Sequence, residues 1–230
     1  MRGNIIATAL LSISLCAGIS AQFGGGAHYQ RFDNNYWPGV VDELADGFVA
    51  EDMIGASAYY WFRLKDVRIE FLPEVGYAIS LGQNDAGVST DLKLLTALVN
   101  VMFYPFDLIN DCDCPTFSKQ GSGLQKGFFI ALTGGLSNHT MGLIDESDTR
   151  FFDVSERLVR YGVGVGLDIG VSDLLTIVPH AYLHWEQNPA YDGLAEALGG
   201  ETVMRNTDFG TRLPGFGLRA IFRPDYLKRR

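Results

Sequence analysis

Cysteine is scarce: the 230 residues hold three, Cys16, Cys112 and Cys114. Only Cys112 and Cys114 are close together, one residue apart, and neither a histidine nor a second cysteine pair lies nearby. A closed zinc site needs four such ligands, so no metal centre is predicted. In an oxidising compartment the pair would close as a strained, easily reduced disulfide that staples a turn. Positive charge is also short. Lys and Arg number 18 against 27 Asp and Glu, the net charge is −9, and no basic patch dominates. That excludes a nucleic-acid partner. Long apolar runs are missing beyond the N-terminus, and the mean hydropathy is close to neutral, too polar for a bundle of membrane helices. No nucleophile elbow and no cofactor motif is present, and no cofactor is predicted.

What the N-terminus does contain is a short basic start, Met1-Arg2-Gly3-Asn4, an apolar run over 5–19, and Ser20-Ala21 ahead of Gln22. This is the pattern of a secretory signal cleaved before residue 22. The bulky Leu15 before Cys16 makes a poor lipidation box, so plain cleavage is predicted. The chain divides into a signal peptide, 1–21, and one domain, 22–230, whose length suits a single domain.

Glycine is abundant, at 27 residues, and its placement is informative. In the stretch 157–186, Val159, Tyr161, Val163, Val165, Leu167, Ile169 and Val171 alternate with Leu158, Arg160, Gly162, Gly164, Gly166, Asp168 and Gly170. After Ser172-Asp173-Leu174, a second run sets Leu175, Ile177, Pro179, Ala181, Leu183 and Trp185 against Thr176, Val178, His180, Tyr182, His184 and Glu186. A period of two over both runs predicts an antiparallel hairpin with one apolar face and one face of glycine and polar groups. The segments 53–64 and 67–81 repeat this logic across the turn Lys65-Asp66, with Arg63, Arg68, Glu70 and Glu74 on the polar face.

Further strands are predicted at 26–33, 91–104, 126–139 and 208–223. In 91–104 the parity slips, and a bulge near Leu98 is expected to turn Asn100 inward. The segments 82–88, 143–156 and 188–206 read as loops, 38–52 as a short amphipathic helix, and 105–125 as a long link holding the two cysteines. About eight strands result, and with the exception of 105–125 the short turns and long loops fall at opposite rims. The predicted class is all-β, an up-and-down antiparallel transmembrane barrel. Its apolar face meets lipid and its small and charged residues fill the lumen. Arg63, Arg68, Glu70, Glu74, Lys93, Arg160, Asp168 and Arg219 are predicted to form a polar network there.

A signal peptide, about eight alternating strands and a closing strand ending in aromatics resemble the small outer-membrane β-barrel family of Gram-negative bacteria. The resemblance covers nearly all of 22–230. It implies an outer-membrane location, outer-membrane lipid as surroundings, and barrel-insertion machinery as a partner during assembly. In that family a terminal aromatic is the insertion signal, whereas here Phe222 is followed by a tail through Tyr226 to Lys228-Arg229-Arg230.

Eight strands leave a lumen that side chains fill, so a non-enzymatic structural or surface-interaction protein is expected, with no catalytic residue. Two other readings remain open on the sequence. One is a barrel enzyme acting on membrane lipids, with Ser137, His139, His180, His184 and Glu186 as the candidate set. The other is a secreted lipocalin-like binder of a small apolar ligand, with the apolar stripe inside.

Overall fold

The computed structural model describes residues 22–34, 52–63, 69–83, 89–106, 127–144, 147, 149–172, 174–189 and 209–222. The signal segment, the expected helix up to residue 51, the cysteine pair, Arg68, most of the 188–206 loop and the C-terminal tail lie outside the described residues, while Asp52 is in a strand. Eight long strands follow one another: β1 (Gln22–Arg31), β2 (Asp52–Arg63), β3 (Ile69–Gln83), β4 (Ser89–Phe103), β5 (Phe128–Ile144), β6 (Arg150–Leu167), β7 (Leu175–Glu186) and β8 (Thr211–Phe222). Two short pairings extend the sheet, Asp33–Asn34 against β8 and Ile169–Gly170 against β7.

Each strand pairs antiparallel with its neighbour in sequence, and β8 returns to β1 over the register Phe23↔Phe222 to Gln30↔Gly215. The sheet is therefore a closed up-and-down barrel, and closure satisfies the wall's backbone donors and acceptors without a free edge. The links 35–51, 84–88, 145–149 and 187–210 join strands at one rim, here the upper. The links 64–68, 104–127 and 168–174 join them at the lower rim. At one lower turn the Ser172 hydroxyl accepts the backbone N–H groups of Leu174 and Leu175 at 3.3 and 3.1 Å. Val171 and Ser172 in turn donate to the Leu175 carbonyl. The hydroxyl thus replaces backbone partners that the tight turn cannot supply.

Period two decides the rest. On β6, Val159, Tyr161, Val163 and Val165 are exposed on the outer surface while Leu158, Arg160 and Gly162 are buried inside. Ile54 on β2, Val75, Tyr77 and Ile79 on β3, Leu95 and Val99 on β4, Ile130, Leu132 and Leu136 on β5, and Phe216 and Leu218 on β8 continue the outer apolar belt. Aromatic pairs edge this belt. Phe62 stacks on Phe71 and Phe106 meets Phe128 toward the lower rim, while Tyr161 lies against Trp185 and Phe209, and Tyr29 against Phe216, higher up. A ring of apolar side chains with aromatic girdles is the outer surface of a membrane-spanning barrel.

The lumen is not uniformly polar. At its upper end Phe32, Met53, Ala78, Leu92, Leu94, Met141, Leu143 and Leu213 form one apolar cluster. At its lower end Tyr59, Trp61, Leu72, Met102, Tyr104, Phe129, Ala131, Val178 and Ile221 form a second. The polar groups occupy the tier between them and the lower mouth.

Three sequence expectations change. β4 carries no bulge: its register runs unbroken from Ser89↔Ile144 to Phe103↔Ile130. Leu92, Leu94 and Leu98 face inward with Asn100 because the lumen ends in apolar clusters, so leucine on the inner face needs no change of parity. The first strand starts at Gln22 rather than Gly26. Its glycines hide the alternation, yet Gly26 faces inward, where a Cβ would press the Leu218 carbonyl at 2.6 Å and the Tyr59 hydroxyl at 2.8 Å. The region 143–156 is mostly strand rather than loop, since β5 runs to Ile144 and β6 starts at Arg150. Asp153 and Ser155 there point to solvent while Phe152 and Val154 pack on the upper cluster. Water above the belt solvates the outer acidic groups, so they do not break the strand.

Candidate functional site

The middle tier of the lumen gathers residues from seven of the eight strands. Arg160 on β6 and Glu186 on β7 are direct cross-strand partners. Arg160 Nε donates to Glu186 Oε1 at 2.5 Å, and His139 Nε2 on β5 donates to Glu186 Oε2 at 2.8 Å. All three side chains are buried. A buried carboxylate survives loss of water only when its lone pairs are taken up by donors, and here each oxygen has one. Across the lumen, Thr133 Oγ1 donates to Asn100 Oδ1 at 2.7 Å, and Asn100 Nδ2 donates to Glu74 Oε2 at 2.9 Å. Arg219 Nη2 stands 3.6 Å from the same Glu74 oxygen, and its guanidinium lies 5.1 Å from the centroid of the Tyr59 ring.

Glycine makes room for this tier. His180, Tyr182 and His184 line up on the inner face of β7, with ring centroids 5.9 and 4.4 Å apart along the column. On β6 their cross-strand partners are Gly166, Gly164 and Gly162, and on β8 Gly217 and Gly215 face His180 and Tyr182. A Cβ at Gly162 would collide with the His184 ring, and one at Gly217 would sit 2.7 Å from His180 Cε1. The glycine-rich inner face of β6 is thus the bed on which three large rings lie flat.

Lower down, Glu70 Oε2 accepts from Trp61 Nε1 at 2.8 Å and from the Tyr104 hydroxyl at 2.7 Å. The Tyr104 oxygen is also 2.7 Å from Asp168 Oδ2. These contacts tie the lower aromatic cluster to acidic groups at the mouth.

Of the sequence-predicted network, Glu70, Glu74, Arg160 and Arg219 turn into the lumen, and Asp168 sits at its lower mouth. They do not form one network: Glu74 with Arg219, Arg160 with Glu186, and Glu70 with Trp61 and Tyr104 are separate groups in the contacts described. Lys93 is a correction. It shares the outward parity of Leu95, Ala97 and Val99, stands near the upper rim, and binds Asp91 at 2.5 Å. Without the bulge, the parity of β4 puts residue 93 outside. Arg63 pairs with Glu70 through the β2–β3 register, but its side chain lies outside the described set, as does the whole of Arg68.

The sequence reading missed Asn100 and Thr133 as a hydrogen-bonded relay and Glu186 as the partner of Arg160. The register signal was present, since both Arg160 and Glu186 are inward by alternation on successive strands. Their level in the barrel required the pairing itself. Ser137, also named in the enzyme reading, is buried on β5 two residues from His139. Ser137, His139 and Glu186 face the lumen, away from the surface that meets lipid.

No protein-family model and no curated protein sequence matches the chain. Among solved structures it is similar to Neisserial surface protein A, at 14% identity over 89% of this chain and 97% of that one, with a TM-score of 0.46. The attachment invasion locus protein Ail of Yersinia pestis is similar at 8% identity over 88% and 96% of the two chains, with a TM-score of 0.47. The N-terminal β-barrel domain of Pseudomonas aeruginosa OprF is similar at 13% identity over 87% and 97%, with a TM-score of 0.46. The closed wall and its outer apolar belt place the chain in the class of barrel that crosses outer membranes.

Proposed function

We propose that the protein is a non-enzymatic barrel of the outer membrane with a structural or surface-interaction role. The observation that carries this reading is the filling of the lumen. Among the described residues, apolar clusters occupy both ends, and the ion-paired tier between them holds a cavity of about 30 Å³. A continuous aqueous path would need the clusters to part, so the rims and the lipid-facing belt are the surfaces open to other molecules.

Two observations weigh against the alternatives. A lipocalin-like binder would hold its apolar stripe inside, whereas Val159, Tyr161, Val163 and Val165 are on the outside and Arg160 and Arg219 within. A lipid-cleaving enzyme needs its nucleophile within reach of a lipid carbonyl, whereas Ser137 is buried and His139 is engaged by Glu186. On this reading the partners are outer-membrane lipid and, during assembly, the insertion machinery, which would engage the closing strand β8 with its outward Phe216, Leu218 and Phe222.

Purified protein reconstituted in phospholipid vesicles and planar bilayers tests the proposal. It predicts no steady conductance above that of the bare bilayer and no release of lysolipid or fatty acid. Steady conductance would argue for an open pore. Lipid hydrolysis that disappears in Ser137→Ala or His139→Ala would establish an enzyme.

A further inference from the structure

At mid-height the polar tier borders a partly open chamber of about 30 Å³, lined among others by Arg160, Arg219, His184, Glu74, Asn100 and Thr133. A water needs roughly 10–15 Å³ by the same measure, so the chamber holds one small ion or about two waters. Three buried atoms on its lining residues have no hydrogen-bond partner: Arg160 Nη2, Arg219 Nε and His184 Nδ1. The two guanidinium atoms can only donate. Arg160 spends its Nε on Glu186, while Arg219 reaches Glu74 through Nη2 at 3.6 Å and also bonds the Tyr59 hydroxyl, which leaves Arg160 Nη2 and Arg219 Nε for something else. Several of the nearest acceptors are already engaged. Both oxygens of Glu186 are taken by Arg160 and His139, Asn100 Oδ1 is taken by Thr133, and Glu74 receives Asn100.

Each guanidinium already has a carboxylate beside it, Glu186 for Arg160 and Glu74 for Arg219, so what the chamber offers is not surplus charge but two N–H donors without an acceptor. Water would accept from these donors only by also placing its own protons on lining groups such as Thr96 or Gln30. An anion accepts and brings none. Apolar clusters lie above and below the tier, which lowers the local dielectric and strengthens attraction between a guanidinium and an anion.

We propose that the chamber binds a small monovalent inorganic anion of halide size, held between Arg160 and Arg219. The volume suits an ion of that size.

The test is to refold the whole chain in bromide and, separately, in gluconate at equal ionic strength. Crystals from the bromide preparation should give a bromine anomalous peak in the chamber, in contact with Arg160 and Arg219. A map showing only water there overturns the proposal. In solution, the unfolding midpoint should rise with bromide and level off, with no such rise in gluconate; equal midpoints in the two salts also overturn it. Arg219→Met should lose both the peak and the bromide dependence, and a peak that persists in that variant contradicts the assignment. If the variant does not fold, judged by its unheated gel mobility, the anomalous map of the parent protein decides.

Discussion

Glu186 is the residue on which the middle tier depends most. It is fully buried and accepts from Arg160 and His139, so Glu186→Ala leaves a buried guanidinium without its counter-charge. Removing one partner of a buried pair costs about 3–5 kcal/mol, which equilibrium urea unfolding in vesicles should register. Lys93 gives the contrast. Lys93 is about one-third exposed at the upper rim, and its partner Asp91 is also held by Arg150 at 2.6 Å, so the pair is worth about 0–1 kcal/mol. Lys93→Ala should therefore leave the unfolding curve nearly unchanged, and a large loss would mean that Lys93 faces the lumen after all. Gly162 tests the aromatic column. A valine there must displace the His184 ring or the β7 backbone, and overpacking of that kind costs about 1–3 kcal/mol. A Gly162→Val barrel as stable as the parent would contradict the packing of His184 on β6.

At the scale of the element, β6 carries the clearest division of labour. Val165 faces out at the level of Ala181 on β7 and Ile130 on β5, within the apolar belt. Val165→Arg should lower stability in vesicles by about 2–4 kcal/mol, the cost of a cation at the bilayer midplane. Insertion without loss would place this face in water. The alternation on β6 and β7 was legible because their outer faces are unbroken runs of apolar residues. β1 was harder to read: Gly24, Gly25 and Gly26 carry no side chain to mark a face, so its start was set four residues late. β4 misled for the opposite reason. Both of its faces are apolar, since Leu92 and Leu94 belong to the upper lumen cluster and Leu95 and Val99 to the lipid belt. Period two locates faces, but it cannot tell a lipid face from an apolar plug. Nor does it give the height of a residue in the wall, which is why Glu186 and Arg160 could be assigned to one face but not to each other.

The whole molecule is a closed wall around a lumen in three tiers, apolar, polar and apolar. The closed wall predicts compact behaviour in detergent: the unheated protein should run faster on a gel than the boiled one, and identical mobilities would argue against a barrel. The central claim is the direction of the wall, apolar side out and ion-paired side in. It is tested most directly by spin labels placed one at a time at 94 through 99 on β4, with Cys112 and Cys114 changed to serine and the protein in lipid vesicles. The account predicts that labels at 95, 97 and 99 collide with oxygen dissolved in the lipid, while labels at 94, 96 and 98 are shielded from it. The reverse pattern, or uniform access to a water-soluble relaxation agent at all six positions, would contradict it.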